Sequence, residues 1–216
     1  MSLDSPMRRP ATGASAAGRW LRTLAPCVLA VAWTTGAAAQ PDALRLAKAA
    51  VAAADNKGEA FAVVDKKRAR VFIFDAQGRL QGDSPVLLGL AHGDDSVPGI
   101  GERKMSDIRP DERTTPAGRF ASEPGRNLQG EDIVWVDYDA AVSMHRVRAN
   151  NKSERRLERL ASPGVADNRI SYGCINVPAS FYDTHIQPLL GQRNGVVYVL
   201  PETEPMQVRF SFLGQP

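Results

Sequence analysis

The sequence predicts a mainly β domain with short helices, on three observations. Short runs rich in β-branched and aromatic residues recur from Ala60 onward: Phe61–Asp65, Arg70–Asp75, Pro85–Ala91, Asp132–Tyr138, Ala141–Val147, Gly195–Leu200 and Gln207–Phe212. Tight-turn signals separate them, among them Lys66-Lys67-Arg68, a turn at Asp139, and Asp75-Ala76-Gln77-Gly78 with Gly78 in the left-handed position. Segments with helical spacing are few and short, at Asp42–Ala54, Asn150–Leu160 and Pro178–Leu190. No internal repeat or low-complexity block interrupts the pattern, and 216 residues suffice for one domain with a real core.

The N-terminus reads differently. Arg8, Arg9, Arg19 and Arg22 precede an apolar run from Leu24 to Trp33, and Ala37-Ala38-Ala39 offers a small-residue cleavage site. These features predict a secretory signal peptide over residues 1–39, with an uncleaved anchor as the alternative. Cleavage changes the charge argument. The whole chain holds 27 Lys and Arg against 24 Asp and Glu, and the first 39 residues take away four Arg and one Asp. That leaves 23 of each sign, so the mature protein is near neutral and its composition gives no case for nucleic-acid binding.

In chain order, Leu44, Leu46, Ala47 and Val51 give a modest helical stripe, with Asp42 as its expected cap and Asn56-Lys57-Gly58 as its end. Lys66, Lys67 and Arg68 read as a solvated hairpin tip. The segment from His92 to Thr115 is long and irregular, broken by Pro98, Gly99, Gly101 and Pro110, and such loops are more often functional than decorative. Thr114–Phe120 is a turn feeding a strand. Arg155, Arg156, Glu158 and Arg159 around Leu157 and Leu160 predict a short amphipathic helix on the surface. Arg119 and Arg146 could meet carboxylates of a ligand, but exposed arginines are common and neither is counted in the site.

The stretch that carries chemistry is Arg169–Val177, R-I-S-Y-G-C-I-N-V. Of the two cysteines, Cys27 leaves with the signal peptide, so Cys174 stands alone in an oxidising compartment, where cysteines usually pair. A lone thiol there is buried and inert, shared between chains, or reactive. Gly173 loosens the turn, and a helix beginning at Pro178 would bring its N-terminal amides and dipole to the thiol. A nucleophilic cysteine needs a base, and the chain has three histidines. His185 lies eleven residues beyond Cys174 on the expected helix, three turns away. His92 opens the irregular loop. His145 ends a strand and is the favoured base if that strand neighbours the cysteine turn.

Ser171, Gly173, Cys174 and Asn176, the upstream His145 and the Thr115-Pro116-x-Gly118-x-Phe120 turn together resemble the L,D-transpeptidase (YkuD-type) catalytic domain, over roughly Glu59 to Leu200. Two departures stand out. Tyr172 replaces the family's histidine beside the glycine, and the charged Asn150–Arg169 segment lengthens the gap between His145 and Ser171. Surface insertions of this kind carry little entropic penalty.

The resemblance implies a YkuD-like β-sandwich catalytic domain over residues 59–216, after a helix or connector over residues 40–58. It implies a periplasmic enzyme acting on peptidoglycan stem peptides as donor and acceptor. Cys174 would attack the carbonyl of the diamino acid at stem position three and release the terminal D-alanine, with His145 as base. The amides of Tyr172, Gly173 and Cys174 would form an oxyanion hole. Ser171 would orient the loop or serve only the turn. Asn176 would hold the turn, touch the donor stem or cap the following helix. Tyr172 offers a hydroxyl and an aromatic wall. No cofactor, metal, nucleic acid or membrane insertion after cleavage is implied. The alternatives are a stem-peptide L,D-carboxypeptidase of the same fold and a catalytically silent peptidoglycan-binding module.

Overall fold

The computed structural model describes residues 41–214, so the expected signal peptide lies outside the described residues. Ten strands are described: β1 Phe61–Asp65, β2 Arg70–Phe74, β3 Leu80–Pro85, β4 Leu88–Gly89, β5 Gly118–Arg126, β6 Asp132–Asp137, β7 Val142–Arg146, β8 Arg169–Ser171, β9 Ile175–Val177 and β10 Gly195–Leu200. Eight form one sheet in the order β3-β2-β1-β10-β5-β6-β7-β9, while β4 and β8 pair separately. The protein is mainly β with short helices, as the sequence predicts.

The sheet folds into two layers because β5 serves both. Its first half, Gly118–Ser122, pairs with β10, and its second half, Glu123–Arg126, pairs with β6. One core lies between the layers. Ala62, Val64, Val71, Ile73, Val197 and Val199 from the first layer pack with Val134, Val136, Val142, Met144, Ile175 and Val177 from the second. The alternate residues of the same strands (Phe61, Val63, Phe72, Phe74, Val196, Tyr198) form a second core. Helix α1 (Asp42–Ala52) covers it through Leu46, Ala47 and Ala50, together with Met206 and Phe210 near the C-terminus. The two-residue period of a strand distributes these side chains to opposite faces. The parallel pair β1 and β10 is buried on both faces, which is why F-A-V-V-D and G-V-V-Y-V-L read as almost continuous apolar runs.

Four local expectations are corrected. Gln207–Phe212 is not a strand: a short helix α4 (Met206–Arg209) follows Pro205, and Ser211–Leu213 forms a 3-10 turn. Met206 and Phe210 stand four residues apart, a helical spacing that turns both toward the second core. Pro85–Ala91 is not one strand: Pro85 ends β3, β4 is only Leu88–Gly89, tied to β8, and Leu87 bridges to Asn176. Asp42 occupies the first turn of α1 and does not cap it; Pro41 holds the cap position. Finally, Lys66 sits in the expected turn, but its side chain is fully buried and not solvated.

The charged segment after β7 makes a 3-10 turn (Lys152–Glu154) and then the short helix α2 (Arg156–Ala161), entered through Arg155 in the left-handed region. Leu160 is buried and Leu157 exposed, consistent with one narrow apolar stripe. After β9, helix α3 (Ala179–Phe181) runs into a π-helical turn, Tyr182–Ile186, whose Tyr182 and Ile186 enter the first core.

Candidate active site

Strands β7 and β9 are parallel neighbours, with Met144 opposite Ile175, His145 opposite Asn176 and Arg146 opposite Val177. Met144 and Ile175 point into the core. Strand alternation therefore sends Ser143 and His145 to the other face, where Cys174 sits just before β9. Cys174 is half-buried and unpaired. Its Sγ lies 3.7 Å from Ser143 Oγ and 3.7 Å from the carbonyl of Ala141. The sequence reading missed Ser143, although its position two residues before His145 on the same strand face was an available signal.

The backbone sets the state of His145. Its Nδ1 lies 2.8 Å from the carbonyl of Arg146, and a carbonyl only accepts, so Nδ1 carries the hydrogen. Nε2 is left with the lone pair in the neutral ring, the tautomer a base needs. Burial by itself raises the Cys174 pKa. Hydrogen bonding and positive charge from His145, with hydrogen bonds from Ser143, outweigh it and hold the thiol below its ordinary value. The helix dipole expected from the sequence is not the source. Strand β9 and Pro178 separate Cys174 from α3, because Ile175–Val177 extends to pair with β7.

The cysteine turn is held on every side. Gly173 has φ +128°, and a Cβ there would come within 2.9 Å of the Thr114 carbonyl. Ser171 Oγ donates to the Cys174 carbonyl at 2.7 Å and accepts from the Gly173 N–H at 3.1 Å. Asn176 is buried, donates to the Cys174 carbonyl at 3.1 Å, and accepts from Arg156 of α2 at 2.8 Å. Asn176 therefore holds the turn and does not cap α3, whose cap position is Pro178. Tyr172 faces Arg113 of the long loop, whose guanidinium lies 3.8 Å from the ring centroid. An open cleft of about 280 Å³ runs along this face, walled by Met105, Ile133, His145, Arg148, Tyr172 and Cys174.

Of the three histidines, the structure brings only His145 to the thiol. His92 is exposed and lies 3.0 Å from Glu202. His185 stacks near Phe181 and packs over Gly82 of β3, at the far edge of the sheet. Arg119 is paired with Asp55 at 2.7 Å, and Arg146 lies between Asp132 and Asp183 at 3.0 and 2.5 Å.

A buried ionic cluster backs the turn, and sequence reasoning missed it because Lys66 looks like a hairpin tip. Lys66 Nζ donates to Asp94 Oδ1 at 2.7 Å, to the Gly93 carbonyl at 2.5 Å and to the Thr115 carbonyl at 3.0 Å. Arg169, two residues before Ser171, reaches Glu202 at 2.5 Å and the Lys66 carbonyl at 3.0 Å. Burial pushes the Lys66 ammonium below the ordinary lysine value, against the opposing pull of Asp94 and Glu202.

No protein-family model and no curated protein matches the chain. Solved structures do. Among those similar to it are L,D-transpeptidases. The helical cell shape determining protein Pgp2 from Campylobacter jejuni is 14% identical, over 68% of this chain and 49% of that one, with a TM-score of 0.43. An L,D-transpeptidase from Mycobacterium smegmatis is 16% identical over 65% of this chain and 58% of that one, with a TM-score of 0.37. The catalytic domain of the E. faecium L,D-transpeptidase is 17% identical over 66% of this chain and 98% of that domain, also at 0.37. The chain thus spans about half the length of Pgp2 and under two thirds of the M. smegmatis protein.

Proposed function

We propose that this protein is a periplasmic cysteine acyltransferase that acts on peptidoglycan stem peptides through a thioester at Cys174. One observation carries the reading: a thiol with a lowered pKa shares an open sheet face with His145, whose tautomer is fixed by the Arg146 carbonyl. The motif around Cys174 supplies the substrate class. On this reading residues 1–39 are the signal peptide, cleaved near Ala39, residues 40–58 the helix and connector, and residues 59–216 the catalytic domain.

The steps balance without a cofactor. His145 Nε2 takes the thiol proton, and the thiolate of Cys174 adds to the donor carbonyl. The resulting oxyanion meets the N–H groups of Tyr172 and Cys174, since the Gly173 N–H is already given to Ser171 Oγ. The C–N bond to the terminal D-alanine breaks as protonated His145 returns its proton to the leaving amine. An acceptor amine then attacks the thioester, His145 takes its proton, and the thiolate departs. Water in place of the amine gives a trimmed stem by the same steps. A silent binding module has no use for a thiol whose pKa is lowered in an open cleft.

Incubating the protein with a disaccharide carrying a tetrapeptide stem separates these outcomes. Mass spectrometry of the products should show a crosslinked dimer with loss of one D-alanine. A tripeptide stem alone would make the enzyme a carboxypeptidase, and unchanged substrate with measurable binding would overturn the enzymatic reading.

A further inference from the structure

The replacement of the family histidine by Tyr172 has a structural partner. Arg113, near the end of the irregular loop, holds its guanidinium 3.8 Å from the centroid of the Tyr172 ring and donates from Nε and Nη2 to the Ile108 carbonyl at 3.4 and 3.2 Å. Its Nη1 edge has no partner among the described residues, and no carboxylate there pairs with it. The other arginines nearby differ. Arg103 and Arg109 of the same loop pair with Glu112, Arg148 in the cleft with Glu131, and Arg156 with Glu154. Arg113 therefore brings a positive charge without a carboxylate partner against the ring of Tyr172, which itself lines the cleft with Cys174. A guanidinium held over a ring can still offer N–H groups in a planar fork to a planar anion, which a lysine could not do.

We propose that Arg113, held on the Tyr172 ring, is an anion-binding residue of this site and takes a free carboxylate of the donor beside the carbonyl that Cys174 attacks. The inference rests on the acyltransferase reading only for the name of the anion. A stem peptide ends in a carboxylate, and its diamino acid can carry a second one. Tyr172 acts here as a platform, and its hydroxyl is not needed.

Alkylation of Cys174 tests the charge without any substrate. Iodoacetate and iodoacetamide react with the same thiolate, so their rate ratio cancels changes in thiolate population and reports the local field alone. At low ionic strength Arg113→Gln should lower the iodoacetate-to-iodoacetamide ratio about three-fold, as loss of one nearby positive charge screened by solvent would. Tyr172→Leu should lower it similarly, Tyr172→Phe should keep it, and Arg148→Gln, whose charge Glu131 offsets, should lower it less. If Arg113→Gln does not fold, Tyr172→Leu decides the question. A ratio unmoved by loss of Arg113 or of the ring, or an equal fall in Arg148→Gln, overturns the proposal.

With stem substrate, Arg113→Gln should raise KM for a donor with free carboxylates and leave KM for its amidated form unchanged; equal KM changes for both would also overturn it. Absence of turnover in the wild type, with the alkylation pattern intact, would remove the acyltransferase reading and leave the anion site standing.

Discussion

The Thr115 hydroxyl donates to the Gly173 carbonyl at 2.8 Å, joining the long loop to the cysteine turn across 58 residues of sequence. The same oxygen accepts from the Gly89 N–H at 2.9 Å, so one buried side chain locks three segments together. The Thr115 carbonyl accepts from Lys66, which extends the lock to the buried ionic cluster.

Thr115→Val keeps the shape and removes the hydroxyl. It strands the buried Gly89 N–H and the Gly173 carbonyl, which should destabilise the fold by about 1–3 kcal/mol. Urea unfolding checks this, and iodoacetamide labelling should slow in the same variant because the turn loses a support. Unchanged stability would mean that the Thr115 hydroxyl plays no part in holding the turn.

The ionic cluster predicts acid sensitivity with a definite sign. Burial alone raises the carboxyl pKa of Asp94, but hydrogen bonds from Lys66, Thr203 and two backbone N–H groups outweigh it and depress the value. Glu202 is depressed in the same way, its burial outweighed by the Gly93 N–H, Arg169 and His92. Below about pH 4 the unfolded chain binds protons that the folded chain refuses. The stability these groups confer is therefore complete above that pH and is lost as pH falls through the depressed values. The urea midpoint of the wild type should drop steeply from pH 5 to pH 3. Asp94→Asn should start lower and fall less; parallel slopes would contradict the account.

Lys66→Met leaves Asp94 buried without its ammonium, and breaking such a pair typically destabilises by about 3–5 kcal/mol. Denaturant unfolding at neutral pH measures it, and a loss below about 1 kcal/mol would show that the cluster relaxes or hydrates freely.

The mainly β fold was legible because strands with alternating or fully apolar runs announce themselves locally. The placement of His145 beside Cys174 was legible only as a condition, since strand order is a long-range property, and the β7–β9 pairing met that condition. Lys66 was not legible: nothing in Lys66-Lys67-Arg68 tells which of three cations turns inward, and Asp94, its partner, lies 28 residues away. Gln207–Phe212 misled because Val208, Phe210 and Phe212 alternate as in a strand, while Met206, four residues before Phe210 and outside that segment, holds the helical spacing that the fold uses. The source of thiol activation also depended on tertiary structure. The helix starts after Pro178, where the local pattern places it, but the three extended residues of β9 keep its N-terminus away from the cysteine.

His145→Ala should lower the rate of Cys174 acylation by about 10²–10⁴-fold, the range for loss of a positioned base. The pH profile of iodoacetamide labelling should shift with it. In the wild type the inflection should lie below that of an ordinary thiol, and in His145→Ala it should move up, because the burial penalty then stands with less to oppose it. His92→Ala, altering an exposed side chain on Glu202, should leave the profile in place. A shift in His92→Ala and none in His145→Ala would reverse the base assignment.

Intact-protein mass spectrometry after brief exposure to a tetrapeptide-stem donor tests the central claim most directly. The protein should gain the mass of the stem minus D-alanine, the added mass should map to the peptide containing Cys174, and Cys174→Ala should gain nothing. An adduct that persists in Cys174→Ala, or a wild type that turns over donor while a rapid quench finds no adduct at Cys174, would contradict the thioester mechanism.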